Sequence, residues 1–162
     1  MNRQTTRISP ADMDRQRDFC QKLHERFAAR PSAPLAFVDT YGCQQNEADS
    51  ERIRGYLRQM GYGFTDSEAE ADLIVVNTCA IREHAEMRVL GNVGALVHAK
   101  AKNPNLLVAV CGCMVQQPHV AEKIRVSYPF VGLVFGTHVL HRFPELLWDA
   151  LSQGRRVIET PE

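Results

Sequence analysis

Four short apolar runs of strand character recur along the chain, each followed by a helical pattern. They are Leu35-Ala36-Phe37-Val38, Leu73-Ile74-Val75-Val76, Leu106–Val110 and Val131–Phe135. Continuous β-branched runs of this length suit strands buried on both faces, and helices between them supply the cover. The helical patterns place Ile53, Tyr56, Leu57 and Met60 on one face, then Val89, Val93, Leu96 and Val97 on another. Asn46 is a candidate N-cap for the first of these helices, and Gly61 and Gly63 close it. A weak strand is expected at Tyr62–Phe64. Asn103-Pro104 ends the second helix, Pro118 opens a third and Pro144 a fourth, which carries Leu146, Leu147, Ala150 and Leu151. The fold class is therefore α/β: an open, doubly wound, mainly parallel sheet, flavodoxin- or Rossmann-like, flanked by helices. Residues 34–152 form this domain. Residues 1–33 read as an N-terminal helical arm outside the core, with Phe19, Leu23 and Phe27 at i, i+4, i+8, and residues 153–162 read as a linker.

Open parallel sheets bind ligands beyond the carboxyl ends of their strands. Cys43, Cys79 and Cys113 each fall just past such an end, so residues distant in sequence converge on one edge. Three converging thiols suit a soft metal or an iron–sulfur cluster. A [4Fe–4S] cluster usually takes four cysteines, so three would leave one iron open. The plainer alternative is that each cysteine is a small buried apolar residue. Packing is the expected role of Cys111, at the end of the third run, and an incidental helix position that of Cys20. Gly42 and Gly112 precede two of the ligand candidates and either admit a bulky ligand or merely turn the chain. Asn77 and Thr78 are expected to cap the next helix or to donate to cluster sulfurs. His138, on the same edge, is expected to be a surface or packing residue rather than a ligand.

Lys plus Arg and Asp plus Glu number 19 each, which excludes a strongly basic domain that grips nucleic acid by charge alone. There is no Gly-x-Gly-x-x-Gly, no Walker loop and no C-x-x-C. The segment Cys79-Ala80-Ile81-Arg82 gives only a faint hint of a phosphatase loop. No apolar run is long enough for a membrane span, and the N-terminal segment has no export signal, so the expected compartment is the cytoplasm.

Thr40-Tyr41-Gly42-Cys43-Gln44-Gln45-Asn46-Glu47, with Asp49-Ser50, resembles the opening motif of the methylthiotransferase family of radical S-adenosylmethionine enzymes. Asn77-Thr78-Cys79-Ala80-Ile81-Arg82 and Gly112-Cys113-Met114, with Gln116, resemble its second and third motifs. Phe135-Gly136-Thr137-His138, with His141-Arg142 and Pro144-Glu145-Leu146-Leu147, resembles the branch that modifies adenosine-37 of tRNA. The resemblance implies that Cys43, Cys79 and Cys113 hold an auxiliary [4Fe–4S] cluster. That cluster would carry the sulfur or methylthio group added to C2 of N6-dimethylallyladenosine. It implies further that a radical domain with a second [4Fe–4S] cluster and S-adenosylmethionine, and a C-terminal RNA-binding domain, are the partners of this one. Those domains would make most of the contacts to the tRNA substrate, and the domain alone is expected to be inactive. Alternatives are a methylthiotransferase for a small-subunit ribosomal protein or for threonylcarbamoyl-adenosine in tRNA, a non-enzymatic flavodoxin-like binding module, and a redox switch through Cys111 and Cys113.

Overall fold

The computed structural model describes residues 8–42, 44–79 and 83–161. Its centre is a six-stranded sheet in which every pairing is parallel: β1 (Leu35–Thr40), β2 (Gly63–Phe64), β3 (Leu73–Thr78), β4 (Leu107–Gly112), β5 (Val131–Phe135) and β6 (Val157–Glu159). The strand order is β2-β1-β3-β4-β5-β6. After β1 the chain moves outward to β2, then returns to the other side of β1 for β3. The β1/β3 boundary is thus the topological switch point, where an open parallel sheet leaves a crevice.

Alternation along the strands divides the core into two layers. Leu73, Val75, Ala109, Cys111, Leu133 and Phe135 face α1 (Pro10–Ala28), α2 (Gln44–Met60) and α6 (Phe143–Ser152). Ile74, Val76, Val108, Val110, Val131 and Val134 face α3 (Glu83–Ala95) and α5 (Pro118–Ser127), joined by the short α4 (Val97–Lys102). All six residues of β3 are buried, as a central strand covered on both faces requires.

Two boundaries differ from the sequence expectation. The N-terminal helix belongs to the core: Gln16, Cys20, Leu23 and Phe27 are buried along one stripe. Ser9 caps it by accepting from the Asp12 amide, Pro10 opens it, and Phe27 meets Tyr62 edge to face with ring centres 4.9 Å apart. The stripe is rotated from the expected one, since Phe19 lies on its flank beneath the cationic ends of Arg15 and Lys22. Cys20 is accordingly a core residue, and burial pushes its thiol up to about 11.

The segment 153–162, expected as a linker, returns to the sheet as β6. The Arg156 guanidinium fixes this return by donating to four carbonyls, those of Ile124, Arg125, Tyr128 and Val131, at 2.8–3.2 Å. These carbonyls cluster at the end of α5 and the start of β5, where a cation is favoured; those of Ile124 and Tyr128 also accept the backbone amides of Tyr128 and Val131. Among the described residues no helix is long and apolar enough to cross a membrane.

Candidate functional site

The register brings Thr40, Asn77, Cys111 and Phe135 into one row across β1, β3, β4 and β5. Thr78 pairs with Gly112 one step further on. Cys79 and Cys113 therefore leave neighbouring strands at the same level, and the Cys113 amide donates to the Thr78 carbonyl at 3.2 Å. Both cysteines are half-buried. Cys43 lies outside the described residues, as do residues 80–82 of the second motif. The chain before Cys43 is nevertheless well placed. The Tyr41 amide donates to the Asn77 carbonyl at 2.8 Å, and Gly42 then packs against Cys79. A Cβ built on Gly42 would meet Cys79 Cβ closer than two carbons can approach, and Asn46 Oδ1 at 2.7 Å.

Glycine is required twice here. Gly42 has φ +135° and Gly112 φ +104°, in the region that L side chains rarely adopt. A Cβ on Gly112 would also run into the Thr78 carbonyl oxygen and come within 2.8 Å of Asn77 Oδ1. Each cysteine loop thus lies directly on its neighbour, with no side chain between.

Beneath the loops the buried face of α2 is polar. Asn46, Asp49 and Ser50 are buried, followed by Ile53, Leu57 and Met60. Asn46 is not an N-cap, because the helix begins at Gln44; its Nδ2 donates to the Thr78 carbonyl at 2.8 Å. Among the described residues, Asn77 also bonds across to α2 rather than to the start of the next helix. Its Nδ2 donates to the Asn46 carbonyl at 2.8 Å and to Ser50 Oγ at 3.0 Å. Thr40 and Ser50 share a hydroxyl bond of 2.7 Å, and Thr78 Oγ1 donates to the Cys111 carbonyl at 2.6 Å. Every buried side-chain nitrogen and oxygen of the described residues is hydrogen-bonded, so the network is rigid rather than strained. Its sequence signal is three polar residues on the helix stripe that continues as apolar core.

Cys111 sits in this layer, 1% exposed, 3.9 Å from Asn77 Oδ1. Burial pushes its thiol far above the usual range, with Asp49 and Cys113 adding to the shift. It packs, as expected, and is a poor nucleophile for an exchange with Cys113.

The fourth motif buttresses the third. Gln116 Oε1 accepts from both the amide and the hydroxyl of Thr137, at 2.8 and 2.6 Å, which ties the turn after Cys113 to the loop after β5. His138 is exposed. On the other face of β1, Asn92 of α3 donates to the Tyr41 hydroxyl at 3.1 Å and steadies the approach to Gly42.

Thiols are soft donors, and here two of them stand on adjacent strand ends beside bare glycine backbone; the described residues alone form no group of three metal ligands. An iron–sulfur cluster fits these residues, with Cys43 as the further thiolate in sequence.

The comparisons agree with this frame. Over 145 residues the chain is 45% identical to the tRNA-2-methylthio-N(6)-dimethylallyladenosine synthase of Clostridioides difficile (strain 630), covering 87% of this chain and 30% of that protein. It is 43% identical over 162 residues to the protein of that name from Acetivibrio thermocellus, covering 98% and 34%. It is 51% identical over 123 residues to that from Clostridium tetani, covering 76% and 27%. The chain spans about a third of the length of these curated relatives. The description of uncharacterized protein family UPF0004 matches residues 36–136, from β1 through the loop after β5, and this chain belongs to that family.

Proposed function

We propose that this domain is the sulfur-carrying part of a tRNA methylthiotransferase. In this reading Cys43, Cys79 and Cys113 hold a [4Fe–4S] cluster at the β1/β3 switch point and the adjoining end of β4. The observation that supports it most is the pairing of Thr78 with Gly112, which sets Cys79 and Cys113 on adjacent strand ends with Gly42 packed on one of them. Three thiolates leave one iron of a four-iron cluster without a protein ligand. When bound, such a cluster supplies the iron at which the transferred sulfur is held.

The chain's own residues orient and insulate. Gly42 and Gly112 bring the backbone close without side chains. The buried Asn46–Thr78–Asn77–Ser50 network fixes the loops against α2. Cys111, 1% exposed, packs in the core layer below them. The names of the relatives support N6-dimethylallyladenosine in tRNA as the substrate, with S-adenosylmethionine and a second cluster acting in a radical domain beyond this one. A neutral surface balance fits a domain that leaves most of the grip on tRNA to its partners. Reactions of this kind belong in the cytoplasm.

Anaerobic reconstitution with iron and sulfide tests the reading. The expected product is a brown protein with about four irons per chain. Incubated with S-adenosylmethionine, reductant and tRNA, it yields no methylthio-nucleoside by mass spectrometry. A colourless protein that takes up no iron would instead indicate a binding module with inert cysteines.

A further inference from the structure

The Thr78 carbonyl joins the cysteine loops after β3 and β4 to α2. It belongs to the residue before Cys79, accepts the Cys113 amide at 3.2 Å and accepts Asn46 Nδ2 at 2.8 Å. Both of its lone pairs are thereby used. The same Asn46 side chain abuts the Gly42 backbone, where a Cβ would come within 2.7 Å of its Oδ1 and 3.1 Å of its Cγ. Its main-chain carbonyl is held in turn by Asn77 Nδ2 at 2.8 Å. One buried amide, 3% exposed, thus touches the chain ahead of Cys43 and the chain ahead of Cys79, and it shares an acceptor with Cys113.

From this geometry we infer that Asn46 is a positioning residue that sets the spacing of the three cysteine loops before any cluster binds. The inference rests on the cluster reading proposed above. Asn46 contacts no metal; it acts through the Thr78 carbonyl and the Gly42 backbone. A carboxylate of the same shape accepts hydrogen bonds and cannot donate them. Asn46→Asp therefore keeps the volume and loses the link to Thr78. Residues that orient metal ligands in this way are worth roughly 10- to 100-fold in metal affinity.

The experiment compares wild type, Asn46→Asp, Asn46→Ala, Cys79→Ala and Leu57→Ala after anaerobic reconstitution. Leu57 is fully buried on the same helix and far from the loops in sequence, so its loss lowers stability without freeing Thr78. The readouts are the rate of iron release to a chelator and the electron paramagnetic resonance spectrum of the reduced cluster. Asn46→Asp and Asn46→Ala are expected to release iron at least about tenfold faster, with altered g-values. Leu57→Ala keeps the wild-type spectrum and rate. Wild-type behaviour of a folded Asn46→Asp protein overturns the inference, and so does an equal effect from Leu57→Ala. If Cys79→Ala retains the cluster, the underlying reading fails; if it loses the cluster while Asn46→Asp keeps it, only the positioning role fails. Should the Asn46 variants not fold, hydrogen exchange on cluster-free wild type decides. A protected Cys113 amide supports a preformed cradle, and an unprotected one refutes it.

Discussion

Two glycine-to-alanine substitutions, chemically the same change, are predicted to move stability in opposite directions. Gly112 has φ +104°, and an added methyl would press into the Thr78 carbonyl and against Asn77. Forcing an L residue into that region costs about 1–3 kcal/mol, and overpacking against backbone that is itself paired in the sheet costs about 1–3 kcal/mol more. Gly112→Ala should therefore lose about 2–6 kcal/mol, a large share of the 5–15 kcal/mol typical of a domain. Gly55 lies inside α2 with nothing within 4 Å of the added methyl. Gly55→Ala should gain about 0.5–1 kcal/mol from helix propensity and reduced unfolded-state entropy. Urea unfolding followed by circular dichroism is the assay. With a slope near 2 kcal/mol per molar, the midpoint falls by about 1–3 M for Gly112→Ala and rises by about 0.3–0.5 M for Gly55→Ala. A Gly112→Ala midpoint within about 0.3 M of wild type would refute the close approach of the cysteine loops, and shifts of the same sign would refute the contrast.

Three further predictions concern the frame around the site. Leu23→Ala should cost about 2–5 kcal/mol in the same urea assay, because Leu23 is fully buried in the core that α1 shares with α2 and α6; a cost near zero would mean that the helix is an arm after all. Arg156→Ala should cost about 1–2 kcal/mol and raise hydrogen exchange in β6, since four carbonyls lose one donor; unchanged exchange would detach β6 from the account. Burial opposes ionisation of Glu145, but Arg142, Gln16 and Arg15 outweigh it and hold the carboxyl below its ordinary range. A lowered folded value means that the stabilisation is present above the ordinary glutamate pKa of about 4.3 and disappears as pH falls through the lowered value. Glu145→Gln should flatten that acid limb, and an unchanged limb assigns it to other groups.

β3, β4 and β5 were legible because burial on both faces leaves no room for polar alternation, and β1, only half-buried apart from Ala36, stood out through its apolar start Leu35–Val38. β6 was not, since it has three half-buried residues and owes its position to Arg156, an interaction with no local pattern. The buried stripe of α1 was misread by one position. Phe19 outweighs Cys20 in hydrophobicity, yet Cys20 faces the core, and the stripe includes Gln16, whose amide exchanges hydrogen bonds with Glu145 of α6. At the candidate site the spacing of Cys79 and Cys113 relative to the strand ends was enough to bring them together. The roles of Asn46 and Asn77 were not readable as helix caps, because their partners lie about 30 residues away on another element. Long-range polar pairing leaves only an indirect mark: polar residues on a stripe that otherwise belongs to the core.

Native mass spectrometry of the anaerobically reconstituted protein, applied to each single Cys→Ala variant, tests the central claim most directly. The account predicts a mass increment of about four irons and four sulfides in wild type, Cys20→Ala and Cys111→Ala, and its loss in Cys43→Ala, Cys79→Ala and Cys113→Ala. An intact increment in any of the last three, or its loss in Cys20→Ala, would contradict it.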